Sequence, residues 1–364
     1  MRRYLMSGLA ALCAAALSMT TGSPAPAASP PTATIDTSSP IKHVVVIYQE
    51  NHAFDDVLAS VCSKRPTPCN QFDQQDSSTA TPWDITQPVT FASGVTATNK
   101  LEPDVVPGVA HTRRSQLYAL ANRWDKVGGC NATTSPTYVC VEHYDPNNIP
   151  NLTRLANTYA VSDQTFAANP SQSFGAHMTL ASGTLDGFTG NNPIPSVEGK
   201  PLGVKGWGCN SIRDAEWSPT NDFQNLKWVP SCVPDTDGSG PYEASPVPHV
   251  NTIMENLEAK NLTWHIYHGG GQRGVLQNQF TICSYFAWCM EHRFTTAFDS
   301  SDNTFYADAA AGTLPNVSLM IPAGGWDQHN GNSMVQGDNY IGNVVSAIQN
   351  GPQWSSTAIF ITYD

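Results

Sequence analysis

Glu50, Asn51 and Asp364 are hard oxygen donors, each at the end of a short apolar run. Ile41 to Tyr48 leads into the first two, and Ala358 to Tyr363 leads into the third. Oxygen donors gathered at adjacent strand ends suit a divalent cation, which neutralises phosphoryl oxygens and activates a nucleophile. Ser173 stands just before a stretch of helical character, Ala176 to Ser182. Near a helix N-terminus, backbone N–H groups and the helix dipole favour an anion. A serine oxygen bound to a metal and facing a phosphate is a coherent nucleophile. His111, His329 and either His265 or His268 can hydrogen-bond phosphoryl oxygens, and one of them can protonate a leaving group. The chemistry these side chains add up to is cleavage of a phosphate ester.

Each also has a plainer reading. Glu50-Asn51 fits a solvated turn after a strand, and serine before a helix is commonly an ordinary N-cap. His111, ahead of Thr112-Arg113-Arg114, fits a helix cap, and His329 in its Gly/Asn-rich loop fits the surface. His177 reads as packing or as a partner behind the site, and His143 and His249 as structural. What favours chemistry is position.

The elements that must hold these residues are short β-branched runs. Ile41 to Tyr48 is continuously apolar, as expected of a strand buried on both faces. Tyr159 to Ser162, Leu262 to Tyr267, Val317 to Ile321 and Ala358 to Tyr363 are weaker runs of the same kind. Helical spacing lies between them, with Val250, Ile253, Met254 and Leu257 on one face of 249–260. Tyr340, Val344, Val345 and Ile348 share a face of 339–349. The fold class expected is α/β: a mostly parallel central sheet with helices on both faces. The Gly/Pro/Asn-rich stretches 63–110, 186–248 and 268–315 read as long insertions. Each of the five runs is followed by carboxylate, amide, hydroxyl or imidazole groups, at the sheet edge where open α/β folds bind ligands.

Composition narrows the setting. Met1-Arg2-Arg3, the apolar run Leu9 to Leu17 and Ala25-Pro26-Ala27 form a secretory signal peptide over residues 1–27. The arginine pair is compatible with twin-arginine export. Residues 28–40 read as a disordered spacer, and 41–364 as one catalytic domain. Eight of the nine cysteines follow the signal, in an exported chain where disulfides form. Roughly a hundred connectivities are open to eight cysteines. Four local loops are the simplest: Cys62/Cys69, Cys130/Cys140, Cys209/Cys232 and Cys283/Cys289. A net charge of −12 argues against nucleic acid as a partner. No apolar stretch after the signal is long enough to span a membrane, which leaves transient contact with a membrane surface.

The segments IKHVVVIYQENHAFDDVLA (41–59), HTRRSQLYALANRWDKVGG (111–129) and HYDPNNIPNLTRLANTYAVSDQTFAANPSQSFGAHMTLASGT (143–184) carry a resemblance. WHIYHG (264–269) and DQHNGNSMVQGDNYIGNVVSAIQNGPQWSSTAIFITYD (327–364) complete it. In this order they resemble the bacterial phosphoesterase family of phosphatidylcholine-type phospholipases C and an acid phosphatase, in the alkaline phosphatase-like superfamily. The resemblance implies a divalent metal held by Glu50, Asn51 and Asp364, with Ser173 as nucleophile and metal contact. It also implies His111 and His329 around the phosphoryl group.

Two departures leave choices open. WHIYHG differs from the family's tryptophan-to-tyrosine pattern, so His265 and His268 both stand, with His265 slightly ahead. Gly175-Ala176 replaces a Pro-Asn, so Ser171 competes with Ser173, which its spacing to His177 favours. The family's last strand continues into a second acidic residue and a Gly-Gly-aromatic-Tyr-Asp-His segment. A domain truncated at Asp364 is therefore expected, binding metal poorly and turning over weakly or not at all. The substrate expected is a phospholipid or a small phosphate ester. Phospholipase C chemistry comes first, a phosphomonoesterase second, and a non-catalytic secreted binding protein on the same fold third. The sulfatase C/S-x-P-x-R motif is absent from the sequence.

Overall fold

The structure, a computed structural model, describes residues 38–63, 104–122, 143–163, 165–196, 206–220, 222–238, 240–268, 281–293 and 302–364. Short pieces at 89–90, 94, 96–97, 101–102, 128 and 298–299 are described as well. The signal peptide and most of the spacer expected from the sequence lie outside these residues. Strands in chain order are β1 (His43–Gln49), β2 (Val89–Thr90), β3 (Thr96–Ala97), β4 (Leu101–Glu102), β5 (His143–Tyr144) and β6 (Ile194–Pro195). They continue with β7 (Arg213–Trp217), β8 (Lys227–Pro230), β9 (Trp264–His268), β10 (Phe298–Asp299), β11 (Val317–Ile321) and β12 (Thr357–Tyr363). Helices are α1 (Phe54–Ser63), α2 (Arg113–Ala121), α3 (Pro150–Thr158), α4 (Ser173–Ser182), α5 (Ile253–Glu258), α6 (Ala287–His292), α7 (Asp302–Ala311) and α8 (Met334–Asn350).

The central sheet has the order β10-β9-β11-β1-β12, and every pairing in it is parallel. Strand alternation divides its side chains between two cores. Tyr48, Trp264, Ile266, Leu319 and Ile321 face one side, against Phe174, Met178 and Ala181 of α4 and Met254 of α5. Val45, Ile47, Tyr267 and Met320 face the other, against Leu152 and Leu155 of α3, Phe305 of α7 and Tyr340, Ile341 and Val344 of α8. Each fully buried aliphatic chain contributes about 1.5–3 kcal/mol, so β1 is fixed in register from both faces. The expected α/β sheet with helices on both faces is the observed one.

Four of the five expected strands recur within two residues. Tyr159 to Ser162 does not: it is an irregular segment following α3. Its composition suits a strand, but Tyr159 and Ser162 are exposed and Tyr159 packs edge-on against Trp354. A central parallel strand is stabilised by burial on both faces, and this run has neither. The helix expected at Ala176 begins three residues earlier, at Ser173, with no side-chain cap from Gln172. α5 is shorter than its periodic stretch and starts at a capping box of Thr252 and Glu255.

The 186–248 insertion carries its own antiparallel sheet, β6-β7-β8. Cys209–Cys232 ties its strands together, and Cys283–Cys289 closes the turn leading into α6. Both are among the local pairs expected from the sequence; the other two pairs include positions outside the described residues. No helix among the described residues is long and apolar enough to cross a membrane.

Candidate active site

The carboxyl ends of β1 and β12 lie side by side, because the two strands run parallel with Gln49 opposite Tyr363. One residue further on, each strand presents an acid. Glu50 follows β1 and is 2 % exposed, and Asp364 follows β12. The chain turns sharply after Glu50. Asn51 adopts a left-handed backbone (φ 60°), which asparagine tolerates better than most residues. Its N–H thereby points at Asp364 Oδ1, 2.6 Å away. Glu50 N–H donates to the Asp327 carbonyl at 2.8 Å, which attaches the loop after β11 to the same corner.

α4 supplies the other wall. Ser173 and His177 are one turn apart on its inner face, and they address the two oxygens of Glu50 separately. Ser173 Oγ donates to Oε2 at 3.1 Å, and His177 Nε2 lies 3.0 Å from Oε1. The helix approaches this closely because Gly175 packs on Gly190. A Cβ at Gly175 would stand 2.6 Å from the Gly190 Cα, and Gly190 itself has φ +81°. Ser171 points elsewhere: its hydroxyl reaches the Asn169 carbonyl. Of the two candidate serines, Ser173 is therefore the one the structure brings to Glu50. Two of the first-turn N–H groups of α4 are engaged within the protein, Phe174 N–H by Asn192 Oδ1 and Gly175 N–H by the Gly190 carbonyl.

Burial dominates the electrostatics of this corner. It pushes Glu50 up to about 8, with the Asp327 charge adding, and Asp364 up to about 7, with the Glu50 charge adding. It lowers His177 to about 4. The contact between Glu50 and His177 is accordingly between neutral groups near pH 7. Glu50, His177 and Asp364 offer ligand atoms that all lie within 4.8 Å of one another. Asp364 Oδ2 is buried and finds no hydrogen-bond partner among the described residues. Two clustered acids, one with an orphaned oxygen, fit a divalent cation.

A second group of residues lies on the other side of Asn51. Its Nδ2 meets His329 Nε2 at 2.8 Å and His111 Nε2 at 3.4 Å. Both imidazoles are oriented from behind by carbonyls. His111 Nδ1 is 2.6 Å from Val109 O, and His329 Nδ1 is 2.8 Å from Asn330 O. A proton on each Nδ1 satisfies those carbonyls and turns each Nε2 lone pair toward Asn51. Thr112, rather than His111, caps α2. His329 follows Gln328, a second left-handed residue (φ 65°), and its N–H donates to Asp327 Oδ1.

The β9 histidines separate by register. His265 is level with Ser318, inside the sheet, and stacks on Tyr267. His268 is level with Ile321 at the carboxyl edge, and alternation puts it on the α4 side with Trp264 and Ile266. Sequence reasoning left His177 as packing or as a partner behind the site, and its spacing of four from Ser173 was the available signal.

Comparison with known proteins adds a family. Residues 41–364 match the Phosphoesterase family. Non-specific phospholipase C1 of Arabidopsis thaliana is 22 % identical over 342 residues, covering 89 % of this chain and 52 % of the relative. Non-hemolytic phospholipase C of Pseudomonas aeruginosa is 26 % identical over 161 residues, 43 % of this chain and 23 % of the relative. The chain thus spans about half, or less, of the length of these curated relatives.

Proposed function

The chain belongs to the Phosphoesterase family, and from that premise we propose that it hydrolyses phosphate esters through Ser173. The observation that carries the reading is the hydrogen bond from Ser173 Oγ to a buried carboxylic acid, Glu50, beside Asp364. Glu50, Asn51, Asp364 and Ser173 are the residues that would hold a divalent ion. Such an ion neutralises phosphoryl charge and lowers the pKa of the serine hydroxyl.

Ser173 Oγ attacks phosphorus and forms a phosphoserine as the bond to the leaving oxygen breaks. With a divalent ion bound Glu50 would be held as the carboxylate, and its Oε2 is within reach of the serine proton. His111 and His329 hold their Nε2 atoms at the open side of Asn51, so that, once protonated, they donate to phosphoryl oxygens and one delivers a proton to the leaving oxygen. Among the β9 histidines, His268 takes the third place on its position at the strand edge. Water then attacks the phosphoserine, releasing phosphate or a phosphorylated head group and restoring the hydroxyl.

Phosphodiester cleavage of the phospholipase C type is the leading substrate reading, because the relatives are named as phospholipases C. Export and a lipid surface as the working location accompany it. α2, which begins two residues after His111, exposes Arg114, Leu117, Tyr118 and Ala121 at helical spacing and carries no acid. The test is release of p-nitrophenol from p-nitrophenylphosphorylcholine and p-nitrophenyl phosphate, with and without a chelator. Weak, chelator-sensitive turnover that favours the choline ester and disappears in Ser173→Ala is expected. Preference for the monoester would reassign the substrate. Binding of either compound without turnover, unchanged in Ser173→Ala, would make the chain a binding protein instead.

A further inference from the structure

Resting on the metal-dependent reading above, we infer that His177 is a ligand of the divalent ion through Nε2, so that the ion belongs to the zinc, cobalt and manganese class rather than being calcium or magnesium. The imidazole is fully buried and stands 3.0 Å from Glu50 Oε1. Two ligand atoms that share one ion through bonds of about 2.0–2.2 Å at near right angles are themselves about 3 Å apart. His177 also lies within the same 4.8 Å cluster as Asp364, whose Oδ2 is buried without a partner.

The helix leaves His177 little freedom to serve elsewhere. It sits one turn from Ser173 on the inner face of α4, and its ring packs at 5.1 Å against Tyr48 of β1, two residues before Glu50. Ring, serine and carboxylate are thus held by two regular elements rather than by loops. Calcium and magnesium prefer all-oxygen shells, whereas one imidazole among carboxylates suits zinc, manganese, iron or cobalt.

X-ray absorption on the protein loaded with Co²⁺ tests this without reference to turnover. The wild-type spectrum is expected to show outer-shell scattering from a single imidazole. His177→Gln should lose that signature and bind Co²⁺ at least ~10-fold more weakly by calorimetry, while His111→Gln and His329→Gln keep it. An oxygen-only shell around bound Co²⁺ in the wild type overturns the inference and leaves the metal-dependent phosphoesterase standing. So does a folded His177→Gln variant with wild-type Co²⁺ affinity. A wild-type protein that binds no Co²⁺ at all overturns both readings together. The wild-type spectrum alone decides the question should the buried substitution prevent folding.

Discussion

The two sides of Asn51 are built differently. On one side, Glu50, Ser173, His177 and Asp364 come from two strand ends and a helix, the first three buried and Asp364 half-buried. On the other, His111 and His329 come from loops, are half-buried, and take their orientation from neighbouring carbonyls. The acid side is thus positioned by the packing of the main sheet, and the imidazole side by local backbone turns. A nucleophile and an ion need fixed geometry, whereas groups that meet varied phosphoryl oxygens work from a more accessible rim.

The largest effects should come from the acid side. Glu50→Gln and Ser173→Ala should each lower kcat by at least ~10³-fold, with Glu50→Gln also weakening metal uptake. His329→Ala should cost about 10²-fold in kcat and leave metal affinity unchanged, measured by calorimetry beside the assay. Equal losses of metal from both sides would erase the distinction between them.

A smaller effect concerns pH and stability in the metal-free protein. Folded Glu50 and Asp364 hold protons up to about 8 and about 7, against ordinary values of 4.5 and 3.8. Folded His177 releases its proton near 4, against 6.5. Between pH 4.5 and 6.5 the folded state therefore holds two extra protons on the acids and lacks one on the histidine. Stability should fall as pH rises through this window, more steeply between 6.5 and about 7, where both acids still differ, and again more gently up to about 8, where only Glu50 does. Calorimetric Tm should follow that course without metal and flatten with saturating Zn²⁺. A metal-free Tm that rises from pH 5 to 8 would contradict the burial of the acid side.

Smallest of all, Leu117→Ser on α2 should reduce hydrolysis of phosphatidylcholine vesicles a few-fold and leave the soluble p-nitrophenyl ester unaffected.

Much of the acid side was legible in the sequence because buried parallel strands announce themselves. The apolar run ending at Tyr48 is followed two residues later by Glu50, and the run ending at Tyr363 directly by Asp364, both at the sheet edge. Tyr159 to Ser162 misled because a strand-like composition says nothing about whether other elements cover it. The start of α4 was obscure because Gln172 provides no cap; a glycine–glycine contact and Asn192 define that end instead. The sequence put His265 slightly ahead of His268, whereas the register of β9 against β11 places His268, not His265, at the sheet edge. His177 was read as packing or as a partner behind the site, and its 3.0 Å contact with Glu50 fits the second of these.

β1 has a kinetic consequence. Both of its neighbours, β11 and β12, come from the far end of the sequence, and the hydrogen bond from Asn51 to Asp364 closes a separation of 313 residues. Contacts this distant form late and slowly in folding. While the chain is still being made, Glu50 stands without Asp364, so the reactive corner is completed only after the intervening chain has been laid down.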